Sequence, residues 1–335
     1  MSIHLSVLEQ SPVLQGSHPQ EALQQTIELA KHVDRLGYKR FWMSEHHSTK
    51  SLAGSAPELL TGIIAQATER IKVGTGGVLL PHYSTYKVAE IFRILEGLYP
   101  GRIDLGVGRA PGGMPGVNYA LNRGKYPDVH SFPQQVAHLL SYLEGGSPEG
   151  YQMVATPLGP TTPPVWVLGS SGGSAGLAGE LGTNYTFAQF INPEGGPAAI
   201  QNYYDHFIPP QKGDEPKASA AVFTVVGETE KEAEYLASTL DLSMLMADQG
   251  QVRDHFVAPE IASRHQYTYF EAERVKHNRN RMIVGDAQSV KQQIEEMAKA
   301  FQIDEIIANI IVHPFEKRLE GYERLANVFQ LDKNE

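Results

Sequence analysis

The sequence predicts a (β/α)₈ barrel, and three observations carry the prediction. Apolar runs of five to nine residues alternate with segments of helical period about eight times along the 335 residues. The runs are consistent with parallel pairing, and the chain is only somewhat longer than a typical barrel of this class, whereas a doubly wound sheet usually needs fewer units.

The first run, Ile3 to Leu8, stops at the turn-forming Ser11 and Pro12. A helix follows over 19–36: Ala22, Ile27, Ala30, Val33 and Leu36 recur at mostly three- and four-residue steps, Pro19 suits the first turn, and Gly37 suits the cap. The pattern repeats as strand 40–44 with helix 57–68, strand 71–75 with helix 85–98, and strand 102–107 with helix 132–144. Strand 164–169 then precedes a helix from about Ser174 to Leu181, strand 183–188 precedes one from about Pro197 to Phe207, and strand 219–227 precedes one from Glu230 to Leu242. Strand 305–312 and helix 315–329 close the count. Between about 243 and 302 no apolar strand is expected, only aromatic and basic residues such as Tyr267, Phe270 and Arg274 and then a helix near 288–301. This reads as an insertion between the seventh helix and the eighth strand of a single domain, 1–335. Long insertions in compact domains are often lids or binding loops. An extra surface hairpin of helices is the plainer alternative.

Composition narrows the function. With 28 Lys+Arg against 38 Asp+Glu the formal charge is −10, and no basic run stands out. Neither nucleic acid nor an anionic membrane surface is therefore expected as a partner, and a small-molecule substrate fits better. The absence of cysteine excludes disulfides, thiolate metal sites and a cysteine nucleophile. Residues 1–9 lack the features of a signal peptide, and no apolar stretch approaches the roughly 18 residues of a membrane span. The expected location is cytoplasmic.

In a barrel the catalytic groups follow the C-terminal ends of the strands. The run FWMSEHH, 41–47, alternates as a strand and then places Glu45, His46 and His47 at that rim. Adjacent histidines on an extended chain point apart and the helical H-E-x-x-H spacing is missing, so no metal is expected. Acid/base work and structural hydrogen bonding both stay open, since a histidine near neutrality takes and gives protons. In GTGGVLLPHYS, 74–84, glycines at the rim fit either a β-bulge or the close approach of a flat ligand. In GVGRAPGG, 106–113, Arg109 offers a planar fork for a phosphate or for an ion pair, and Pro111 breaks the dinucleotide fingerprint. In GSSGGSAG, 169–176, small residues and hydroxyls run into a helix start, which fits an anion site or an ordinary serine cap. Together these three suit a phosphorylated planar cofactor, of which FMN is the simplest.

SEHH (44–47), VGTGGVLLPHYS (73–84), LYPGRIDLGVGRAPG (98–112), VWVLGSSGGSA (165–175) and IVGD (283–286) resemble, in that order and along nearly the whole chain, the bacterial luciferase-like flavin-dependent monooxygenases. The resemblance implies a barrel with a late insertion and reduced FMN at its C-terminal mouth. It implies that His46 transfers protons near the flavin, that Gly76 and Gly77 are joined by a non-proline cis peptide beside the isoalloxazine, and that Arg109, Ser171, Ser174 and the Ala110 backbone hold the phosphate; Ser170, next to Ser171, is expected among the cofactor-binding residues. Glu9, Gln10, Glu45, His47, Ile191 and Asn192 are expected at the same mouth. Ser170 stands where luciferase has an acidic residue and Gly108 where it has a reactive cysteine, which argues against light emission. The closer likeness is to luciferase-like oxidoreductases of unassigned substrate.

The resemblance implies a two-component monooxygenase: reduced FMN from a separate, transiently bound flavin reductase, O₂, and a small organic substrate, with the enzyme a homodimer. The alternatives are a deazaflavin-dependent dehydrogenase and a flavin-binding protein without turnover. A hydrolase using Glu9 and Glu45 would need two carboxyls facing one bond and leaves Arg109 and the serine-rich helix start unexplained.

Overall fold

The computed structural model describes residues 3–110, 112–113, 115–148, 152–251 and 253–331. Pro111, used above against a dinucleotide fingerprint, and the extreme ends of the 1–335 domain lie outside them. The chain runs β1 (His4–Glu9), α1 (Pro19–Arg35), β2 (Arg40–Met43), α2 (Pro57–Ala67), β3 (Lys72–Leu79), α3 (Thr85–Leu98), β4 (Ile103–Gly108), α4 (Pro115–Leu121) and α5 (Phe132–Leu143). It continues with β5 (Val165–Gly169), α6 (Gly172–Glu180), β6 (Asn184–Ala188), α7 (Gly196–His206), β7 (Ala218–Gly227) and α8 (Glu230–Asp248). The last part is α9 (Pro259–Ala262), α10 (Tyr269–Asn278), β8 (Met282–Asp286), α11 (Ala287–Phe301), β9 (Glu305–Asn309) and α12 (Phe315–Phe329).

Eight strands close a parallel barrel in the order β1 to β7 and then β9, which pairs back onto β1. Helices form where their apolar stripe can bury: α1 starts after His18, whose Nδ1 accepts from the Glu21 amide, and packs Ala22, Leu29, Ala30 and Val33 against the outside of the barrel. Val7 and Phe41 face that outer layer. Their neighbours in sequence face inward, so the strands are buried on both sides, as parallel strands between helices must be.

The 243–302 segment departs from expectation, because Met282–Asp286 is a strand. Only Met282, Ile283 and Val284 of that stretch are apolar, too short a run to stand out. The cause lies in β7, which at ten residues outruns the barrel wall. Its residues 218–221 pair with β6 and 220–223 with β9, which leaves Phe223–Gly227 to be completed by β8. Asp286 ends that strand and caps α11 by accepting from the Gln288 and Ser289 amides. Elsewhere the insertion is tied to the loop after β1: the Phe256 amide donates to Val13 O and the Gln15 amide to Phe256 O.

Inside, the N-terminal end of the barrel is filled by charge. Arg40 Nη1 lies 2.7 Å from Asp104 Oδ2, and its Nε lies 2.5 Å from Glu305 Oε1. Trp42 Nε1 also donates to Asp104, Ser6 Oγ donates to Glu305, and the guanidinium sits 4.6 Å from the Trp166 ring centroid. Burial alone would raise the Glu305 pKa, but Arg40 and Lys39 outweigh it and hold the carboxyl at about 2. Above this plug lies an apolar layer of Leu8, Trp42, Trp166, Ala221 and Ile307. Among the described residues no helix is long and apolar enough to cross a membrane.

Candidate functional site

A cavity of about 570 Å³ opens above that apolar layer, at the C-terminal ends of the strands. The size is that of a cofactor or ligand pocket. His46, Gly76, Gly77, Arg109, Ala110, Ser170, Ser171 and Ser174 all line it, as do Gln10, Glu45 and Ile191. Glu9, His47 and Asn192 do not.

The FWMSEHH run divides into separate tasks. Inward-facing Ser44 follows Trp42 by the two-residue strand period, and its Oγ lies 3.1 Å from His46 Nδ1 and 3.4 Å from Glu9 O. A carbonyl only accepts, so both bonds are made at once when Nδ1–H donates to Ser44 and Ser44 donates to Glu9 O. That arrangement leaves His46 Nε2 as an unprotonated base. Burial first, and the neighbouring His47 second, push the His46 pKa down to about 4, so the imidazole is neutral near pH 7. Glu45 turns the other way. Its carboxylate accepts from His47 Nε2 at 2.6 Å, from Tyr83 Oη at 2.6 Å and from the Leu79 amide at 2.8 Å, which fastens the loop after β3 to the loop after β2. His47 is thereby held beside the cavity rather than in it.

The glycine run is a bulge, and it also lines the cavity. Gly76 and Gly77 are joined by a cis peptide, and the β3–β4 register shifts between Thr75 and Val78, a bulge in the wall that also lines the cavity. A Cβ on Gly77 would come within 2.7 Å of the Gly106 carbonyl, backbone that cannot yield cheaply, whereas one on Gly76 would come within 2.7 Å of Leu8 Cδ1 and require that side chain to shift.

Two strands along the ring from His46, Arg109 is exposed just beyond β4 and makes no ion pair or hydrogen bond among the described residues. Ser171 is the N-cap of α6, yet its side chain makes no capping bond, and Ser174 lies in the first turn. A helix start with an uncommitted hydroxyl cap and a guanidinium on the same cavity present donors of the kind that an anion takes. The loop is braced from behind: Asn192 Nδ2 donates to Ser170 O at 2.9 Å, and Tyr185 Oη donates to Ser171 O at 3.4 Å.

Glu9 serves elsewhere. It has the outward parity of Val7, and its carboxylate accepts from Arg318 of α12, from Thr26 Oγ1 and from the Ser11 amide. The geometry thus does not bring Glu9 and Glu45 to face one bond. Sequence reasoning missed Leu8, Trp42, Ser44, Leu79, Val129, His130, Leu168, Thr186, Phe190, Ala221 and Ile307 as cavity walls. Strand alternation counted back from each rim would have found most of them.

Comparison with known proteins agrees with this architecture. The family model described as luciferase-like monooxygenase matches residues 1–304. The uncharacterized protein YwcH of Bacillus subtilis (strain 168) is 48% identical over 330 residues, 98% of this chain and 99% of the relative. The N-acetyl-S-alkylcysteine monooxygenase of the same organism is 33% identical over 331 residues, 97% of this chain and 98% of the relative. Among solved structures, apo-MsnO8 superposes with a TM-score of 0.89 at 36% identity, covering 98% of this chain and 99% of that one.

Proposed function

The chain belongs to the luciferase-like monooxygenase family, and from that membership we propose that it binds FMN, takes it in reduced form from a separate flavin reductase, and uses O₂ to oxygenate a small organic substrate. The observation that carries the reading is the pairing, in one cavity, of an unpartnered Arg109 and uncapped α6 start with a neutral, half-buried His46 and a wall of glycine. The residues present fit the cofactor. Arg109, Ser170, Ser171, Ser174 and the Ala110 backbone would hold the phosphate, and Gly76 and Gly77 would lie against the ring. Bound reduced FMN supplies the activation of O₂, which no side chain of this protein provides.

The protein's own part is placement, proton movement and exclusion of water. His46 accepts or returns a proton at Nε2, with Ser44 fixing the ring through Nδ1. The apolar floor of Leu8, Trp42 and Ile307 keeps the reacting atoms dry. The insertion is bonded through Phe256 to the loop after β1, which would steady that side of the mouth. Self-association as a homodimer is supported by Leu59, Ile63, Ile94 and Leu98, exposed at four-residue steps on the adjacent helices α2 and α3.

Titration of the purified protein with FMN, riboflavin and a deazaflavin, followed by oxygen uptake with a flavin reductase, tests the reading. FMN is expected to bind tighter than riboflavin, and candidate substrates are expected to suppress release of hydrogen peroxide. Preference for deazaflavin would assign hydride transfer instead, and tight FMN binding without substrate-dependent oxygen uptake would leave a carrier. No affinity for FMN in either redox state removes the proposal.

A further inference from the structure

In an eight-strand ring, β4 and β5 stand opposite β9 and β1. The wall facing the phosphate cradle is therefore built from Leu8 and Gln10 of the β1 end and Ile307 of β9. Gln10 has the inward parity of Ser6 and Leu8 and follows the last strand residue. It is only 7% exposed, lines the cavity, and makes no side-chain hydrogen bond among the described residues. With no protein partner among the described residues, its amide is open to the cavity, where water or a ligand can take its bonds. Asn309 does not line the cavity, but it is fully buried nearby with neither its Oδ1 nor its Nδ2 bonded to a protein group. The register that pairs Val7 with Ala308 carries Asn309 beside Leu8, one step below Gln10.

Charge is missing from the same wall. The Glu9 carboxylate is committed to Arg318 on the outside, and that of Glu45 to His47, Tyr83 and the Leu79 amide. His46 is neutral near pH 7. Arg109 and His130, the cavity-lining groups able to carry positive charge, come from the segment between β4 and α5, on the phosphate side.

Resting on the flavin reading above, we propose that the substrate is an uncharged, mainly apolar molecule carrying one neutral hydrogen-bonding group such as a carbonyl, and that the Gln10 side-chain amide reads that group. The hydrocarbon part lies against Leu8, Phe190, Ala221 and Ile307. Gln10 is in this role a specificity-determining residue: it sets which molecule is held, not how the oxygen is delivered. A carboxylate would meet no fixed cation on the β1–β9 side and would leave its hydration uncompensated.

The test uses three probes of similar shape, acetophenone, ethylbenzene and benzoate, titrated into the FMN-loaded protein and read by the perturbation of the flavin visible absorption. Acetophenone is expected to bind tightest. In Gln10→Leu its affinity should fall about tenfold, the size of one lost hydrogen bond to a buried amide, with ethylbenzene unchanged. Gln10→Met, closer in shape, is the second variant and should behave alike, with the urea unfolding midpoint as the check on folding. A wild-type preference for benzoate or ethylbenzene, or an acetophenone preference that survives in both variants, overturns the proposal while leaving FMN binding in place. Loss of FMN affinity in both variants overturns it by assigning Gln10 to the cofactor. A wild-type protein that binds no FMN overturns the flavin reading and this proposal with it.

Discussion

His47 Nε2 lies 2.6 Å from Glu45 Oε1, while His46, the residue between them, points its Nδ1 at Ser44. Three consecutive polar residues therefore do two jobs. One carboxylate–imidazole pair fastens two loops, and the remaining imidazole is presented to the cavity.

Glu45→Gln should show the fastening. The amide that replaces one oxygen cannot accept from all of Tyr83, His47 and the Leu79 amide, so a buried donor is left unpaired. Stability is expected to fall by about 2 kcal/mol, read by urea unfolding. A loss below a few tenths would mean the cluster holds nothing.

His46→Ala should reduce substrate-coupled oxygen uptake by about a hundredfold or more, with FMN affinity retained. An unchanged rate removes His46 from proton transfer. In the wild type the rate should stay level through neutrality and decline only as pH approaches about 4, where the imidazole protonates. The stability sign follows. The folded pKa lies below the ordinary 6.5, so the unfolded chain binds the proton first, and stability is lost as pH falls from about 6.5 towards 4. His46→Gln should flatten that part of the unfolding profile.

Arg109→Ala tests the phosphate cradle separately from the ring site. FMN affinity should drop about tenfold to a hundredfold, the range of a charge-assisted bond, and riboflavin affinity should not move. Equal losses for both flavins would show that Arg109 supports the loop rather than the phosphate.

Arg40→Met should destabilise by about 3–5 kcal/mol in thermal or urea unfolding, because it strands the Asp104 and Glu305 carboxylates inside the barrel. Glu305 also sets an acid limit. With its pKa held at about 2 against an ordinary 4.5, its contribution is complete above about pH 4.5 and is lost as pH falls towards 2. Glu305→Gln should remove that part of the acid slope.

Sequence made the positions of these groups legible better than their directions. The end of β2 was readable from the alternation of Phe41 and Met43 against Trp42 and Ser44, and so was the rim beyond it. Which way Glu45, His46 and His47 face depends on Tyr83 and Leu79, more than thirty residues away. Glu9 and Gln10, neighbours at one strand end, were grouped together, yet parity sends Glu9 outward to Arg318, a partner 309 residues distant that no local pattern reveals. The Arg40, Asp104 and Glu305 plug went unseen for the same reason: each is a single charge in an apolar strand, and only barrel closure brings the three together. Strand β8 was missed because its pairing is dictated by the surplus length of β7 and not by its own three apolar residues.

That plug gives the barrel a closed floor. Among the described residues, Arg40, its two carboxylates and the Trp42 and Trp166 rings close the far end, and the cavity opens at the mouth. By way of that mouth, whatever lies deepest has to enter before, and depart after, whatever lies above it. The sequence of arrivals is then set by depth rather than by affinity, and a slow outermost occupant would hold back the whole turnover.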